Sequence, residues 1–315
     1  MSELVSHSHP RIALIGECMI ELQQQANGSL QQSFGGDTLN TAVYIARMLG
    51  CTAQVDYVTA LGDDSFSDAM CRHWEQEGIG LSKVQRLPGR LPGLYCIQTD
   101  ANGERRFLYW RNEAAVRDCF VTPESDVILN ELLGYDVIYL SGITLAVLGK
   151  CGRERLLSRL KQARANGVRV VFDNNYRPRL WQSIEQARAA YRDCMAYVDL
   201  ALLTEDDEQT LYGYTDSEAL MTAYRELGIS EVVVKRGARS CLVESGGDRF
   251  EVPSHPVPHV VDTTAAGDSF SAGYLSMRLR GASPVEAAHA GHRLASIVIQ
   301  HPGALIPASA MPSLR

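Results

Sequence analysis

The 315-residue sequence lacks the patterns that identify several common classes of protein. No run approaches the roughly 18 consecutive apolar residues that a membrane-spanning helix needs. Basic residues are not in excess, since 30 Lys and Arg stand against 37 Asp and Glu, for a net charge of −7. That balance argues against non-specific nucleic-acid binding and against a polybasic membrane anchor. We therefore expect neither a nucleic acid nor a membrane as a partner.

The cysteines show neither a metal-binding nor a disulfide pattern. All eight are scattered without a CxxC pair, and the polar first ten residues contain no apolar core of a signal peptide. Disulfide frameworks are typical of short secreted chains rather than of chains this long. We expect reduced, mostly buried thiols and a cytoplasmic protein.

Three familiar nucleotide-binding patterns are also missing. The sequence has no GxxxxGK[ST] loop, no GxGxxG after its first predicted strand, and no HRD or DFG motif. The missing GxGxxG disfavours a nucleotide-binding oxidoreductase. The strongest remaining phosphate-site pattern lies near the end of the chain.

That pattern is VVDTTAAGDSFSAGY at residues 260–274. Val260 and Val261 predict the end of a buried strand, and the apolar residues that follow the turn recur at helical spacing. The first N–H groups of a helix lack partners and carry partial positive charge, so the turn at residues 265–267 is predicted to bind an anion. Asp268, at the helix start, is placed to accept a proton from a hydroxyl that attacks a phosphate. The alternative is an ordinary capped helix, which is the commoner use of such a sequence.

A second glycine-rich segment precedes a predicted helix near the start of the chain. Gly35 and Gly36 would let a ligand lie against the backbone. Asp37 is the predicted N-cap of the helix, and Gly50 marks its end. Asp37 and Asn40, one helical turn apart, can face a ligand together. An Asx cap without a ligand is equally compatible with these residues alone.

The rest of the chain alternates strands and helices, which predicts an α/β fold with a central, mostly parallel sheet flanked by helices. The main predicted strands are 11–17, 55–62, 136–141, 168–173, 198–203 and 231–235. Residues 94–99 and 105–110 flank the turn signal Asp100–Gly103 and predict a hairpin in a separate small sheet. Without a linker or an internal repeat, we predict one domain spanning 1–315, with small-sheet strands near 18–35 and 93–111.

Taken together, the two glycine-rich segments resemble the two signatures of the ribokinase-like (PfkB-type) carbohydrate kinases. DTTAAGD resembles the C-terminal signature DTxGAGD, in which the last Asp is the catalytic base and the preceding amides form an anion hole. The resemblance implies these roles for Asp268 and for the amides of Ala265, Ala266 and Gly267. Ala265 stands where the family usually has Gly, so the turn is strained if φ is positive there. GGDTLNTA resembles the N-terminal signature, which implies sugar contacts by Gly35, Gly36, Asp37 and Asn40.

The resemblance further implies a ribokinase-like fold whose small sheet is a lid over the sugar and often the dimer contact. It implies ATP and Mg²⁺ as cofactors, with ATP bound by Thr204, Lys235, Arg236, Gly237 and Gly267. Glu208 matches the Glu of an Asn-x-x-Glu motif that acts on the phosphates through metal and water, although Glu205 replaces its Asn. Asp262 and Thr264 are implied as a monovalent-cation site for K⁺, as in some relatives.

Three further segments are similar to kinases of 2-keto-3-deoxygluconate: GECMIEL at 16–22, YWRNEAA at 109–115 and NNYRPRLW at 174–181. Such enzymes transfer the γ-phosphoryl group of ATP to the 6-hydroxyl of 2-dehydro-3-deoxy-D-gluconate, giving 2-dehydro-3-deoxy-6-phosphogluconate. A sugar acid needs fixed cations for its carboxylate, and Arg111 and Arg177 are the candidates. The predicted sugar site is completed by Tyr95, Tyr109 and Asn175.

Two other functions and one assembly are compatible with the sequence. A fructokinase-like enzyme is disfavoured by the two arginines, and a non-catalytic sugar-acid sensor is disfavoured by the retained Asp268. Because a small hairpin is marginally stable alone, we expect a homodimer or larger homo-oligomer with the lid at its contact.

Overall fold

A computed structural model describes residues 9–25, 27–99 and 105–312. The strands of this part of the chain are β1 (Arg11–Ile15), β2 (Met19–Gln24), β3 (Leu30–Gly35), β4 (Gln54–Leu61), β5 (Val84–Arg86), β6 (Gly93–Thr99), β7 (Arg105–Trp110), β8 (Val137–Ser141), β9 (Arg169–Asp173), β10 (Leu200–Thr204), β11 (Glu231–Lys235), β12 (Cys241–Ser245) and β13 (Asp248–Val252). The α-helices are α1 (Asp37–Leu49), α2 (Ser65–Gln76), α3 (Ser125–Glu131), α4 (Gly142–Val147), α5 (Lys150–Ala165), α6 (Ile184–Met195), α7 (Glu205–Tyr212), α8 (Ser217–Glu226), α9 (Ala266–Leu279) and α10 (Pro284–Val298).

The large sheet contains nine strands of the described ranges, in the order β13-β12-β11-β10-β9-β8-β1-β4-β5. Strands β11 to β5 run parallel, and β12 and β13 extend the sheet as an antiparallel ribbon. A separate four-stranded sheet has the order β3-β2-β6-β7. The prediction of an α/β fold with a mostly parallel sheet and a small second sheet is therefore confirmed.

Helices cover both faces of the large sheet because the side chains of its strands alternate between two apolar cores. On β9, Val170 and Phe172 pack into the core that includes α5, α6 and α8, whereas Val171 packs into the core with α1, α9 and α10. Strands buried on both faces are near-continuous apolar runs, which is why residues 169–172 have no polar alternation.

The parallel strands end at one edge of the sheet and deliver polar side chains there. The neighbouring strands β11, β10, β9 and β8 end at Lys235, Thr204, Asp173 and Ser141, respectively. Beside them, Glu17 follows β1 by two residues. Ligands of open α/β sheets bind at this edge, so the topology gathers candidate residues from distant parts of the sequence.

Several local predictions need correction. Val260 and Val261 are not a buried strand, because the structure has no strand there and their exposed fractions are 50% and 47%. Asp37 is the first residue of α1 rather than its N-cap, which is Gly36. Four of the eight cysteines are buried, two are half-buried, and Cys51 and Cys151 are exposed. The predicted turn at 100–103 lies outside the described residues, and helices α3, α4, α6 and α8 were not predicted.

Candidate active site

The first turns of α1 and α9 meet at the centre of the site. Asn40 Nδ2 donates a 2.8 Å hydrogen bond to Asp268 Oδ2, across 228 residues of sequence. Thr41 Oγ1 also donates to the backbone carbonyl of Asp268, at 3.4 Å. Asn40 is buried, whereas Asp37 and Asp268 are half-buried at the edge of the sheet. The structure thus brings together the two segments that the sequence singled out.

Both acidic residues of these first turns have raised pKa values. Burial, assisted by the nearby Asp37 carboxylate, raises the pKa of Asp268 to about 8, and the hydrogen bond from Asn40 opposes that shift. Burial also raises the pKa of Asp37, against hydrogen bonds from Ser141, the Thr38 amide and Asn175. Asn175 Nδ2 lies 2.7 Å from Asp37 Oδ2. Two carboxylates that lie close together away from water hold a proton between them more readily than isolated ones.

The turn before α9 has the strained conformation that the sequence allowed for. Ala265 has φ 59° and ψ 17°, which is the left-handed region. The N–H of Ala266, one of three predicted anion-hole donors, donates to the Thr263 carbonyl at 3.2 Å. A Cβ atom built on Gly267 would lie 3.6 Å from Lys235 Nζ. A buried ammonium group therefore adds positive charge next to this turn.

Lys235 forms a buried ion pair at the strand ends. Its Nζ lies 2.8 Å from Asp173 Oδ2 and 3.2 Å from Ser271 Oγ. The same Asp173 oxygen accepts hydrogen bonds from Ser271 Oγ at 2.8 Å and from Tyr139 Oη at 3.2 Å. Lys235 is therefore held by protein groups close to the predicted anion hole.

Glu208, on α7, lies in a second buried hydrogen-bond network, with Asn174 after β9 and Tyr224 on α8. Its Oε1 accepts hydrogen bonds from Asn174 at 3.0 Å and from Tyr224 at 2.8 Å. Its Oε2 is buried without a hydrogen-bond partner in the described part of the chain. Burial raises the pKa of Glu208 to about 7, against those two hydrogen bonds. Glu205, in contrast, is engaged by Ser217 and Arg239.

Asn174 links this network to the end of β10. Its Nδ2 donates to the Thr204 carbonyl at 3.0 Å, and its Oδ1 accepts from the Thr204 amide at 2.9 Å. The predicted nucleotide residue Thr204 is therefore fixed by its backbone to the segment that carries Asn175.

Arg111 forms a buried ion pair with Glu17, a residue that the sequence analysis did not select. Arg111 Nη2 donates to Glu17 Oε2, and the two side chains are 10% and 2% exposed. Arg111 Nε and Glu17 Oε1 are buried without hydrogen-bond partners among the described residues. Burial raises the pKa of Glu17, and the Arg111 charge opposes that shift. Arg111 is therefore not a free cation, although it keeps an unused donor.

Arg177 also has a protein partner, on α7. Its Nη1 lies 3.4 Å from Asp207 Oδ1 and donates to the Tyr176 carbonyl at 2.8 Å. Its side chain is 51% exposed, so the guanidinium group can exchange partners far more easily than that of Arg111.

Besides Gly35 at the end of β3, the small sheet carries the predicted sugar residues Tyr95 and Tyr109. Tyr95 donates its hydroxyl to Glu21, which also accepts a hydrogen bond from Ser33 at 2.8 Å. The rings of Tyr95 and Tyr109 stack with centroids 5.7 Å apart. Tyr109 is 47% exposed and is therefore the more accessible of the two.

The two glycines before α1 are needed for packing within the protein. A Cβ atom on Gly35 would collide with the Tyr95 hydroxyl, and one on Gly36 would collide with the Glu17 carbonyl. The sequence predicted that these glycines let a ligand approach the backbone. In the structure, the space that a side chain would occupy at each glycine is filled by other residues of the protein.

The remaining predicted residues have structural partners as well. Arg236 donates to Ser240 and Glu251 in the β12–β13 ribbon, and Gly237 has a left-handed φ of 62°. Asp262 accepts hydrogen bonds from the Thr264 amide and hydroxyl at 3.0 and 2.7 Å. It also accepts from the Gly303 amide at 2.8 Å, so it ties the turn before α9 to the segment after α10.

Comparison with known proteins agrees with this geometry. Residues 9–311 match the model of the pfkB family of carbohydrate kinases. The chain belongs to that family. It is 55% identical to the 2-dehydro-3-deoxygluconokinase of Dickeya dadantii, over 96% of this chain and 98% of that protein. It is 52% identical to the enzyme of the same name from Escherichia coli K12, over 96% and 99%.

The fold also matches solved structures of carbohydrate kinases. The fructokinase of Xylella fastidiosa with bound ATP superposes with a TM-score of 0.82 at 24% identity, covering 96% of this chain and 95% of that one. The family resemblance predicted from the two glycine-rich segments is thus confirmed, and this chain is an ATP-dependent carbohydrate kinase of the ribokinase-like fold. No helix of the described residues has both the length and the apolarity to cross a membrane.

The charges that balance the predicted residues were not predicted from the sequence. Glu17 lay within GECMIEL, but nothing local to that segment indicates its pairing with Arg111, 94 residues away. Asp173 ends the predicted strand 168–173 and Ser271 lies in the segment 260–274, but no role was predicted for either residue. The signal available for Asp173 was a carboxylate directly after a buried strand, the position where this fold binds ligands.

The strain at Ala265 gives a test of the turn in this kinase. We predict that Ala265→Gly leaves stability unchanged or raises it, because relief of about 1–2 kcal/mol of left-handed strain outweighs or matches the extra freedom of glycine in the unfolded chain. In the control, Ala189→Gly should destabilise by roughly 0.5–1 kcal/mol, since Ala189 lies in the middle of α6. Urea unfolding measures both, and equal losses in the two variants would contradict the prediction.

Proposed function

We propose that this kinase phosphorylates 2-dehydro-3-deoxy-D-gluconate on its 6-hydroxyl, with ATP as the donor and 2-dehydro-3-deoxy-6-phosphogluconate as the product. The names of relatives at 55% and 52% identity over nearly the whole chain support this substrate. The observation that carries the chemistry is the contact of Asp268 with Asn40, which sets a carboxylate between a predicted sugar segment and a predicted phosphate segment. ATP turnover measured over a panel of sugar acids and neutral sugars tests the substrate directly.

In the proposed reaction, Asp268 accepts the proton of the 6-hydroxyl while the hydroxyl oxygen forms a bond to the γ-phosphorus of ATP. The bond from that phosphorus to the bridging oxygen breaks, and ADP leaves. A pKa of about 8 in the ligand-free protein suits a general base that works near neutral pH. The N–H groups at the start of α9, assigned to Ala265, Ala266 and Gly267, stabilise charge on the transferred group. Of these, the N–H of Ala266 must first leave the Thr263 carbonyl.

Turnover should depend on the Asp268 carboxylate. We predict that Asp268→Asn lowers kcat by about 10²-fold or more, because an amide cannot accept the proton. Binding of ATP and sugar acid should change little, since an amide keeps the size and a hydrogen bond to Asn40. The control is Asp193→Asn, which alters an exposed Asp on α6. Turnover within a few-fold of wild type would exclude Asp268 as the base.

We assign the sugar contacts to residues around this carboxylate and in the small sheet, which acts as a lid: Gly35, Gly36, Asp37, Asn40, Tyr95, Tyr109, Arg111, Asn175, Arg177 and Asp268. The sugar-acid carboxylate binds Arg111 through its unused Nε donor and Arg177 by exchange for Asp207. Within the described residues, each arginine has one acidic partner, Glu17 for Arg111 and Asp207 for Arg177. In those ranges, neither guanidinium group is therefore surrounded by carboxylates that would repel an anionic substrate.

Specificity for an acid should therefore be lost with either arginine. We predict that Arg111→Ala or Arg177→Ala weakens use of the sugar acid by roughly 2–5 kcal/mol in kcat/KM, the range for breaking a buried charged contact. Turnover measured with a neutral ketose such as fructose should be affected far less. Exposed Arg179, two residues beyond Arg177, supplies the control variant Arg179→Ala.

The Arg111 variant needs a further comparison, because it leaves buried Glu17 without its partner and can destabilise the fold. Arg111→Ala combined with Glu17→Gln removes both charges. If the double variant folds like wild type but still fails to favour the acid, the loss belongs to Arg111. Equal losses on acid and neutral sugars would mean that the arginines do not set specificity.

We assign ATP binding to Thr204, Lys235, Arg236, Gly237 and Gly267. The side chain of Arg236 is held by Ser240 and Glu251, so its contribution is confined to the backbone of the turn. The unpartnered Oε2 of Glu208 fits a residue that would hold Mg²⁺ through water. When bound, Mg²⁺ neutralises charge on the phosphates.

A monovalent cation at Asp262 and Thr264 is part of the same proposal. In the structure this carboxylate receives N–H and O–H donors, which by themselves hold the two loops together. Replacing K⁺ by a tetraalkylammonium salt at constant ionic strength would separate a cation requirement from this structural role. The proposed setting is a cytoplasmic enzyme of one domain.

The lid has apolar side chains that suit an interface. Phe107, Leu108, Tyr109 and Trp110 are all exposed, and Trp110 is 60% exposed. Four consecutive exposed apolar residues on an edge strand are unusual for a monomer. We propose a homodimer or larger homo-oligomer formed through the lid.

We predict that sedimentation velocity gives a mass at least twice 34.6 kDa at micromolar concentration. Trp110→Glu should shift the protein to monomer, because a charge at an apolar contact must be desolvated. The exposed Leu227, which follows α8, supplies the matched control Leu227→Glu. A wild-type monomer, or dissociation by both variants alike, would contradict the assignment to the lid.

A further inference from the structure

The buried ion pair of Asp173 and Lys235, next to the turn that precedes α9, is not explained by packing alone. Asp173 ends β9 and Lys235 ends β11, and β10 lies between these strands. Their side chains nevertheless meet at 2.8 Å, with exposed fractions of 5% and 9%. Replacing a buried ion pair by apolar residues is often neutral or stabilising, so the pair is poorly explained by stability.

We propose that the buried charges of Asp173 and Lys235 set the proton affinity of Asp268 by acting on it in opposite directions. Both would then be positioning residues of the reaction that act through Asp268. This inference rests on the proposed role of Asp268 as the base.

Ser271 connects the pair to the helix that carries the base. It contacts both Asp173 and Lys235, at 2.8 and 3.2 Å, and it lies three residues after Asp268 on α9. Residues three apart lie on the same side of a helix, so the pair lies beneath the first turn. The position of Lys235 Nζ beside Gly267 agrees with this.

Several titratable or polar side chains surround Asp268, and they come from the elements that pack against the first turn of α9. Helix α1 contributes Asp37, Asn40 and the phenol of Tyr44, and β8 contributes the phenol of Tyr139. Strand β9 contributes Asp173 and β11 contributes Lys235. Lys235 is the one cation of this set in the described ranges.

Each partner of the pair acts on Asp268 in the direction that its charge requires. After burial and Asp37, the carboxylate of Asp173 raises the pKa of Asp268, and the ammonium group of Lys235 lowers it. Because neither charge is exposed, water and salt screen them weakly. Removing one charge should therefore move the titration of Asp268 one way, and removing the other should move it the opposite way.

The test is the pH dependence of kcat/KM for the sugar acid, whose acid limb reports the base in the free enzyme. Asp173→Asn should move that limb to lower pH and Lys235→Met to higher pH, each by roughly one unit. The double variant should lie between them. Lys83 is a buried lysine paired with Glu131 at 2.7 Å, so Lys83→Met provides a control that should leave the limb in place.

A second measurement does not depend on activity. The folded-state pKa of Asp268 is above its unfolded value, so the stability gained from its neutral form is fully present below the unfolded pKa. That stability is lost as the pH rises through the folded pKa. Urea unfolding of each variant with and without Asp268→Asn isolates this loss, which should be complete at lower pH in Asp173→Asn and at higher pH in Lys235→Met.

The outcomes distinguish the inference from its rivals and from the proposed function. Unchanged limbs, or shifts of both variants in the same direction, would overturn the inference. So would a change in Lys235→Met confined to the KM for ATP, which would make Lys235 a phosphate ligand only. If wild type fails to phosphorylate the sugar acid but the stability titrations shift in opposite directions, the proposed substrate is wrong and the inference on Asp268 stands.

Discussion

The hydrogen bond between Asn40 and Asp268 is the contact on which the site depends, since it fixes the starts of α1 and α9 against each other. Two helix N-termini that converge bring partial positive charges together. Each of these helices has one acidic residue in its first turn, Asp37 in α1 and Asp268 in α9. The carboxylates complement the dipoles, but burial raises both pKa values, and the nearby Asp37 carboxylate raises that of Asp268 further. The geometry that assembles an anion site therefore also creates a base that holds its proton close to neutral pH.

Charge balance at the strand ends explains which groups are left to act on substrate. The two buried cations at this edge are already paired, Arg111 with Glu17 and Lys235 with Asp173. Asp37 and Asp268 have amide donors instead, from Asn175 and Asn40. Asp37 and Asp268 are also half-buried, so a ligand can reach them. An anionic ligand entering beside them needs compensating charge, which the exposed Arg177 and a divalent cation on the phosphates can supply.

The fold class and the centre of the site could be predicted because their signals are local. Buried parallel strands are short apolar runs, and α1 and α9 follow glycine-containing turns whose residues are adjacent in sequence. The partners of the predicted arginines could not be predicted, because Glu17 and Arg111 meet only through the order of β1 and the small sheet. The misassigned strand at Val260 and Val261 has a similar cause. Two valines satisfy the local pattern, but Val261 donates its amide to the carbonyl of Ile299, at the end of α10, instead of pairing with a strand.

Ala265 shows how such a site can keep a residue that its own backbone disfavours. A left-handed alanine costs about 1–2 kcal/mol, and the surrounding bonds hold it in place. Its carbonyl accepts the Ser269 amide at 2.9 Å, which begins the hydrogen-bond ladder of α9, and the next amide closes on Thr263. Asp262 holds the preceding Thr264 to Gly303, so the turn is fixed on both sides. A turn fixed in this way holds its backbone in one place before any ligand arrives, and of the three predicted donors only the N–H of Ala266 has to leave a protein partner found in the described residues, the Thr263 carbonyl. Such preorganisation is the condition under which backbone dipoles stabilise a transition state rather than merely bind the substrate.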